Sequence, residues 1–169
     1  GNKAAPSRDA HDAAGMLITR ENGLNFEVDL ASYLDTGLFL DHRDTRALLA
    51  KLVPGKSFLN LFAYTGSVSV YAAAAGAKFT TTVDLSNTYL QWAQRNMELN
   101  GLMNEHQEFE RADCIAWIQE KRHSKMRWDF IFVDPPTFSN STKMGKRTWD
   151  VQRDHAELLI GASRLLTRG

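Results

Sequence analysis

From residue 57 onward the sequence alternates between short apolar runs and amphipathic stretches, and this alternation constrains the fold more than any other feature. The apolar runs are SFLNLF, KFTTTVDL, the weaker QEFERA and RWDFIFVD, and a helical pattern follows each of them. The last helix is predicted over TWDVQRDHAELLIGASRLL. Strands joined by short links to helices pair in parallel, so the order predicts an α/β fold with a sheet wound on both faces.

The whole chain divides into three predicted parts. Residues 1–14 are small and polar, which is typical of a linker or a frayed terminus. Residues 15–40 carry two alternating runs around Asn22-Gly23, which predicts a β-hairpin because both turn positions need positive φ. Residues 41–169 form the predicted core, where Asp41 is expected to cap a helix that ends at Pro54-Gly55.

Composition excludes several classes of protein. Twenty basic and twenty acidic residues cancel, so a global attraction to nucleic acid is absent, although a local basic patch is compatible with the sequence. The single cysteine, Cys114, excludes an internal disulfide and a cysteine-built zinc site. The five histidines lack metal-ligand spacing, so no metal is predicted. No segment looks like a signal peptide or a membrane span, which favours a cytoplasmic protein.

In a parallel sheet, ligands bind beyond the carboxyl ends of the strands. The loop NLFAYTGS after the first core strand has one glycine, Gly66, whereas a dinucleotide site needs several. Phe62 and Tyr64 would crowd a pyrophosphate, so a nucleoside such as S-adenosylmethionine fits better. Asn60 could accept from its ammonium group and Thr65 could bond its carboxylate. A plain turn, with Gly66 chosen for geometry, explains the loop equally well.

Acids end the next two core strands. Asp84 follows Gly66 at about the spacing expected for an acid that bonds a ribose hydroxyl. Asp113 could accept from an adenine amine. Either acid alone is more simply a helix N-cap, but together they lie where one nucleoside would cross adjacent strand ends.

The fourth core strand ends in DPPTFSN. Pro135 and Pro136 stop the strand and present Asp134, and Phe138 could stack on a planar base or could plug the core. A base held beside a nucleoside cofactor suggests methyl transfer, so Asp134, Pro135 and Phe138 are the predicted catalytic residues. Three basic residues follow and could contact RNA phosphates or form a solvated loop: Lys143, Lys146 and Arg147.

These motifs resemble the class I S-adenosylmethionine-dependent methyltransferases. Long segments, among them GLNFEVDLASYLDTGLFLDHRDTRALL, FLNLFAYTGSVSVYAAAAGA and FIFVDPPTFSNS, resemble the C-terminal half of the bifunctional 23S rRNA guanine methyltransferase K/L family. The resemblance implies a Rossmann-like, mainly parallel sheet after an N-terminal hairpin, and methylation of guanine N7 in 23S rRNA. It also implies fusion to a second methyltransferase half with an RNA-binding THUMP domain.

The resemblance further implies that the segment 37–43 folds over the cofactor. With the motifs, it gives a set of expected cofactor contacts. They are Phe39, Asp41, Arg43, Asn60, Phe62, Tyr64, Thr65, Gly66, Asp84, Leu85, Asp113 and Cys114.

One departure from the wider superfamily favours N7 over an exocyclic amine. Amine-methylating enzymes place the aromatic directly after the prolines, whereas Thr137 intervenes here. N7 has a free lone pair, so no proton must be removed before attack, and positioning alone can suffice.

Three alternatives stay open. An RNA cytosine-C5 methyltransferase would need a cysteine nucleophile, and Cys114 is in the wrong place for one, although a catalytic cysteine could lie beyond residue 169. A catalytically silent nucleoside- or RNA-binding module is the second. A nicotinamide oxidoreductase is the third, and the glycine-poor loop argues against it.

The end of the sequence carries one more expectation. In class I methyltransferases a further strand pairs beside the fourth, but SRLLTRG is interpreted as the end of a helix. We therefore expect an incomplete sheet, with DFIFV as a bare apolar edge open to pairing.

Overall fold

The computed structural model describes residues 15–31, 36–136, 138–139 and 149–168. The first of these ranges forms the predicted hairpin, in which β1 (Met16–Glu21) pairs antiparallel with β2 (Leu24–Asp29). Asn22 and Gly23 both have positive φ, +49° and +85°, as a two-residue turn requires. The predicted linker, residues 1–14, lies outside the described residues.

A parallel four-stranded sheet follows, as predicted. Its strands are β3 (Ser57–Leu61), β4 (Phe79–Asp84), β5 (Gln107–Arg111) and β6 (Phe130–Val133), in the spatial order β5-β4-β3-β6. Asn60 stands in register with Thr82 on one side and Phe132 on the other. The carboxyl ends of the strands therefore meet at one edge of the sheet.

Helices alternate with these strands and cover both faces of the sheet. They are α1 (Arg43–Leu52), α2 (Ser67–Ala74), α3 (Asn87–Leu99), α4 (Cys114–Lys121) and α5 (Val151–Ser163). All five residues of β3 are buried, and the strand's alternation divides them between two clusters. Phe58 packs with Leu49 and Val68, whereas Leu59 and Leu61 pack with Trp117 and Trp128. The predicted doubly wound fold is confirmed.

Two local predictions were wrong. Asp41 does not cap α1, because it lies in a 3-10 turn, Leu40–His42, and His42 occupies the cap position without a side-chain hydrogen bond. Trp149–Asp150 forms a short strand, β8, that pairs antiparallel with β7 (Phe138–Ser139), so α5 begins later than its amphipathic pattern suggested.

Strand β6 lies at the edge of the sheet in the described part of the chain, as expected. The tail after α5 is not simply a helix end, however. Leu166 makes a parallel bridge with Trp128, and the Trp128 N–H donates to the Leu165 carbonyl at 2.9 Å. Pairing beside β6 thus begins just before the strand, which corrects the view that the sequence contains no further pairing segment.

Across the described ranges, no helix combines the length and the apolarity that crossing a membrane would require.

Candidate active site

A cavity of about 520 Å³ opens at the carboxyl ends of the strands. It is lined by eleven of the residues that the sequence predicted: Phe39, Asp41, Asn60, Phe62, Tyr64, Asp84, Leu85, Asp113, Cys114, Asp134 and Pro135. Further lining residues were not predicted, among them Arg46, Ser67, Tyr89 and Phe132. His42 also lines the cavity; it was not named as a site residue, although it belongs to the segment 37–43 that was expected to cover the cofactor. The cavity is thus lined by three acids: Asp84 at the end of β4, Asp134 directly after β6, and Asp113 before α4.

The loop after β3 has an unusual backbone. Phe62 and Tyr64 have φ of +57° and +52°, a region that bulky side chains rarely adopt. Three contacts hold them there. The Phe62 N–H donates to the Cys114 sulfur at 3.2 Å, the Ala63 N–H to the Val83 carbonyl at 3.1 Å, and the Tyr64 N–H to Asp84 at 2.9 Å. The surrounding structure therefore fixes a strained loop at the cavity wall.

Thr65 and Gly66 serve the packing of this loop and do not line the cavity. Thr65 is fully buried, and its hydroxyl donates to the Gly37 carbonyl at 2.6 Å, so it is not placed to bond a ligand carboxylate. Gly66 has φ of +70°, and a Cβ there would lie 2.5 Å from the Ala93 Cβ. Close packing of the loop against α3 therefore requires glycine at this position.

Asp84 lines the cavity and does not itself cap α3, which was one of the two roles that the sequence left as alternatives. Its carboxylate accepts from the backbone N–H groups of Tyr64 and Ser86, and Ser86 itself caps α3. Burial raises the pKa of Asp84 despite these hydrogen bonds, which act in the opposite direction. A carboxylate has about four acceptor sites, so capacity is left for hydroxyl groups in the cavity.

Asp113 and Cys114 stand together at the start of α4. Asp113 is the helix cap, because one of its oxygens accepts from the Ile115 and Ala116 N–H groups, and it also reaches the cavity wall. The Cys114 thiol is buried, and this burial raises its pKa to about 12. Such a thiol stays protonated at neutral pH, which does not suit a nucleophile.

Asn60 lines the cavity although it is almost fully buried. Its amide nitrogen donates to the Ser69 hydroxyl at 3.0 Å, which orients the side chain and leaves the amide oxygen as the group that can accept. Thr82 donates to the same Ser69 hydroxyl at 2.8 Å. This buried polar row beneath the cavity ties β3, β4 and α2 together.

The segment 37–43 covers one side of the cavity. The ring of Phe39 lies 5.1 Å from that of Tyr64, and Tyr64 meets Tyr89 edge-on at 4.6 Å. Asp41 reaches the cavity but is largely exposed to solvent. Arg43 begins α1 and does not line the cavity, so its predicted cofactor contact has no geometric support.

A buried ion pair anchors the hairpin to this wall. The Arg46 guanidinium donates to both oxygens of Glu21 at 2.8 and 3.0 Å, and the Tyr71 hydroxyl donates to Glu21 at 2.8 Å. Although burial opposes it, these hydrogen bonds lower the pKa of Glu21. Sequence periodicity gave no signal for this triad, because its members come from a strand end and two helices.

The Asp-Pro-Pro loop faces His42 across the cavity. The His42 Nδ1 lies 3.7 Å from an oxygen of Asp134, and its Nε2 lies 4.0 Å from Asp41. Burial raises the pKa of Asp134, and the nearby His42 partly opposes this. A carboxylate and an imidazole therefore flank the space beside the two prolines.

Some predicted residues cannot be placed. Lys143, Lys146 and Arg147 lie outside the described residues, and Phe138 is described by its backbone in β7 and not by its side chain. Within the described ranges, no group of three or more His, Cys, Asp or Glu side chains could hold a metal ion.

The arrangement matches the chemistry of a nucleoside with a cationic tail. Acceptor oxygens from Asn60, Asp84 and Asp113 line one cavity, and the rings of Phe39 and Tyr64 give it an apolar wall. Acids suit ribose hydroxyls, an adenine amine and an ammonium group, whereas they would repel phosphates.

Comparison with known proteins identifies the same chemistry. A family model described as S-adenosylmethionine-dependent methyltransferase matches residues 12–168. The chain is 57% identical over 155 residues to ribosomal RNA large subunit methyltransferase K/L of Photobacterium profundum, covering 92% of this chain and 21% of that protein. The protein of the same name from Shewanella frigidimarina is 56% identical over 151 residues, covering 89% and 21%. The chain thus spans about a fifth of the length of these relatives, and the predicted resemblance is confirmed.

Solved structures agree with the fold. The crystal structure of SMU.776 complexed with SAH superposes with a TM-score of 0.85 at 31% identity, covering 94% of this chain and 41% of that one. A SAM-dependent methyltransferase from Agrobacterium tumefaciens gives a TM-score of 0.81 at 27% identity, covering 95% and 51%.

Proposed function

Because the chain belongs to the family of S-adenosylmethionine-dependent methyltransferases, we propose that it methylates N7 of a guanine in 23S rRNA. The observation that carries the proposal is the single cavity in which the Asp-Pro-Pro loop faces a nucleoside-type acceptor set. The names of the relatives support large-subunit rRNA as the substrate.

The cofactor half of the cavity is assigned to three acceptors. Asp84 holds the ribose hydroxyls, Asp113 accepts from the adenine amine through the oxygen that does not cap α4, and the Asn60 amide oxygen accepts from the ammonium group. The bound cofactor supplies an electrophilic methyl group. Thr65, which we expected to hold the cofactor's carboxylate, is left out because its hydroxyl is bonded to Gly37.

The other half of the cavity holds the base. Pro135 and Pro136 line it and fix the direction of Asp134, and we assign Phe138 to stacking on the purine. N7 would attack the methyl carbon with its own lone pair while the bond from that carbon to the cofactor's sulfur breaks, which would leave the demethylated cofactor as a neutral thioether. The chain therefore need not remove a proton. The purine gains positive charge as N7 is methylated, and the Asp134 carboxylate stabilises that charge.

RNA binding is assigned to residues near the Asp-Pro-Pro loop and to a partner domain. Lys143, Lys146 and Arg147 would contact phosphates, and a second methyltransferase half with a THUMP domain would supply further affinity. A cytoplasmic location follows from a ribosomal RNA substrate.

Mapping methylation on 23S rRNA tests the proposal. Cells that lack the full-length gene should lose one N7-methylguanine, and the wild-type gene should restore it whereas the Asp84→Ala gene should restore less. Cleavage of RNA at N7-methylguanine reports the position of the methyl group. An unchanged map after deletion would reject the function, and cofactor binding without any methylation would indicate a silent module.

The cytosine-C5 alternative receives no support from the described residues. The chemistry needs a thiolate beside the base, and the one thiol of the chain, Cys114, is buried with a pKa raised to about 12.

A further inference from the structure

We propose that His42 recognises the base: its imidazole donates a hydrogen bond to O6 of the guanine whose N7 is methylated. The inference deepens the proposed function and rests on it. His42 was not among the residues that the sequence singled out for the site.

The position of His42 fits a contact with the base. It ends the 3-10 turn of the covering segment and lines the cavity together with Asp134, Pro135 and Pro136. Its side chain keeps 28% of its surface exposed, and its ring meets Phe132 edge-on with centroids 6.3 Å apart. The imidazole is therefore held by packing and still open towards the cavity.

Two carboxylates determine which hydrogen-bonding groups His42 presents. Nδ1 faces Asp134 at 3.7 Å and Nε2 faces Asp41 at 4.0 Å. Because an ionised carboxylate only accepts hydrogen bonds, each of them favours an N–H on the ring nitrogen that faces it. Both distances exceed hydrogen-bond range, so neither carboxylate consumes the donor that faces it.

A donor at this place distinguishes guanine from adenine. On the edge of the purine that carries N7, guanine offers the O6 acceptor, whereas adenine offers an amine donor. An imidazole N–H directed at this edge can pair with O6 but would oppose the amine. Arg46 lines the same cavity, but its guanidinium is committed to Glu21, whereas His42 lies within 3.7 Å of Asp134.

The experiment removes the His42 imidazole and the guanine O6 separately and together. The full-length protein and its His42→Ala variant are assayed on RNA carrying guanine at the mapped position and on RNA carrying 2-aminopurine there. The analogue keeps N7 and the 2-amino group but lacks O6. It also lacks the N1 hydrogen, and this common effect cancels when the two proteins are compared. His106→Ala is the matched control, because His106 lies before β5, at the opposite end of the sheet.

We expect His42→Ala to lower kcat/KM on guanine RNA about 10- to 100-fold, with cofactor affinity unchanged, because the buried O6 acceptor loses its donor. Replacing guanine by 2-aminopurine should then cost the variant at least tenfold less than it costs the wild type. His42→Gln, which keeps a donor, should recover part of the rate, and His106→Ala should behave as wild type.

Equal losses from 2-aminopurine in wild type and His42→Ala would overturn the inference, as would a fall in cofactor affinity that accounts for the lost rate. The wild-type protein on guanine RNA tests the parent proposal separately. If it forms no N7-methylguanine, the proposed function fails, whereas formation of N7-methylguanine with equal losses rejects His42 alone.

Discussion

Two aspartates flank the four-residue strand β6, and their surroundings shift their pKa values in opposite directions. Asp129 precedes the strand and accepts from the Ser57 N–H and hydroxyl, both at 2.8 Å, and from the Thr167 hydroxyl at 2.9 Å. These hydrogen bonds lower the pKa of Asp129. Asp134 follows the strand at the cavity, where burial raises its pKa. One strand therefore carries a hydrogen-bonded carboxylate at one end and a partly desolvated carboxylate at the other.

The same contrast extends along the sheet. At the amino ends, polar groups bond one another, as in the Thr80 N–H that donates to the His106 carbonyl. At the carboxyl ends, Asp84 and Asp134 are desolvated, and Phe62 and Tyr64 have strained backbones. The hydrogen bonds at the amino edge thus stabilise the fold, whereas the carboxyl edge places desolvated carboxylates beside the cavity.

The largest expected effect is on catalysis by Asp134→Ala. The methyl-transfer rate in a single turnover should fall about 100-fold, or about 2.7 kcal/mol, because the base loses the carboxylate that positions it and stabilises its positive charge. The melting temperature should not fall, since ionising this half-buried group already costs stability. A normal rate with a lowered melting temperature would mean that Asp134 stabilises the fold and does not act in methyl transfer.

The next largest effect is expected from Asp84→Ala, which should weaken binding of the cofactor. We expect S-adenosylmethionine to bind the wild type in the micromolar range, about −8 kcal/mol, and the variant about 1–3 kcal/mol more weakly. Asp84→Asn keeps one acceptor oxygen and should lose less. Calorimetry provides the measurement, with Asp129→Ala as the control that binds normally. Wild-type affinity for NAD equal to that for S-adenosylmethionine would contradict the argument from the glycine-poor loop.

Asp129→Ala should affect stability alone. Urea denaturation should show a loss of about 1 kcal/mol in the free energy of unfolding, a value reduced by the exposure of this side chain. The methyl-transfer rate should be unchanged. Ser57→Ala shares the same hydrogen bonds, so the double variant should lose less than the sum of the single variants. Additive losses would mean that the two residues act independently.

The smallest effect is on the pH dependence of stability. The lowered pKa of Asp129 means that its contribution is present above the unfolded value of about 3.9 and is lost as the pH falls through the lowered pKa. The raised pKa of Asp134 means that its ionisation costs stability at neutral pH, and this cost disappears as the pH falls through the raised pKa.

Denaturation over about pH 3–7 should therefore separate the two ends of β6. Relative to wild type, Asp134→Asn should gain roughly a few tenths of a kcal/mol at neutral pH and nothing in acid. Asp129→Asn should lose stability at neutral pH, and the loss should shrink in acid. Parallel pH profiles for the two variants would contradict the opposite pKa shifts that we assign to Asp129 and Asp134.

Much of the fold followed from local sequence patterns. Asn22-Gly23 fixed the hairpin because few residue pairs tolerate two positive φ values, and the alternation of apolar runs with helical patterns fixed the parallel sheet. The acids Asp84, Asp113 and Asp134 were found because parallel strands bring their carboxyl ends to one edge. In each of these cases, the physical cause acts within a few residues or through a general rule of topology.

The tertiary structure decided what depends on distant partners. Thr65 is a packing residue because Gly37 lies against it, and Arg46 is buried because Glu21 neutralises it from 25 residues away. The segment 37–43 was expected to cover the cofactor, but His42 was not singled out within it, since its contact with Asp134 joins residues 92 positions apart in the chain. Sequence patterns report each residue's local conformation, but hydrogen bonding and burial depend on which segments meet, and only the folded chain determines that.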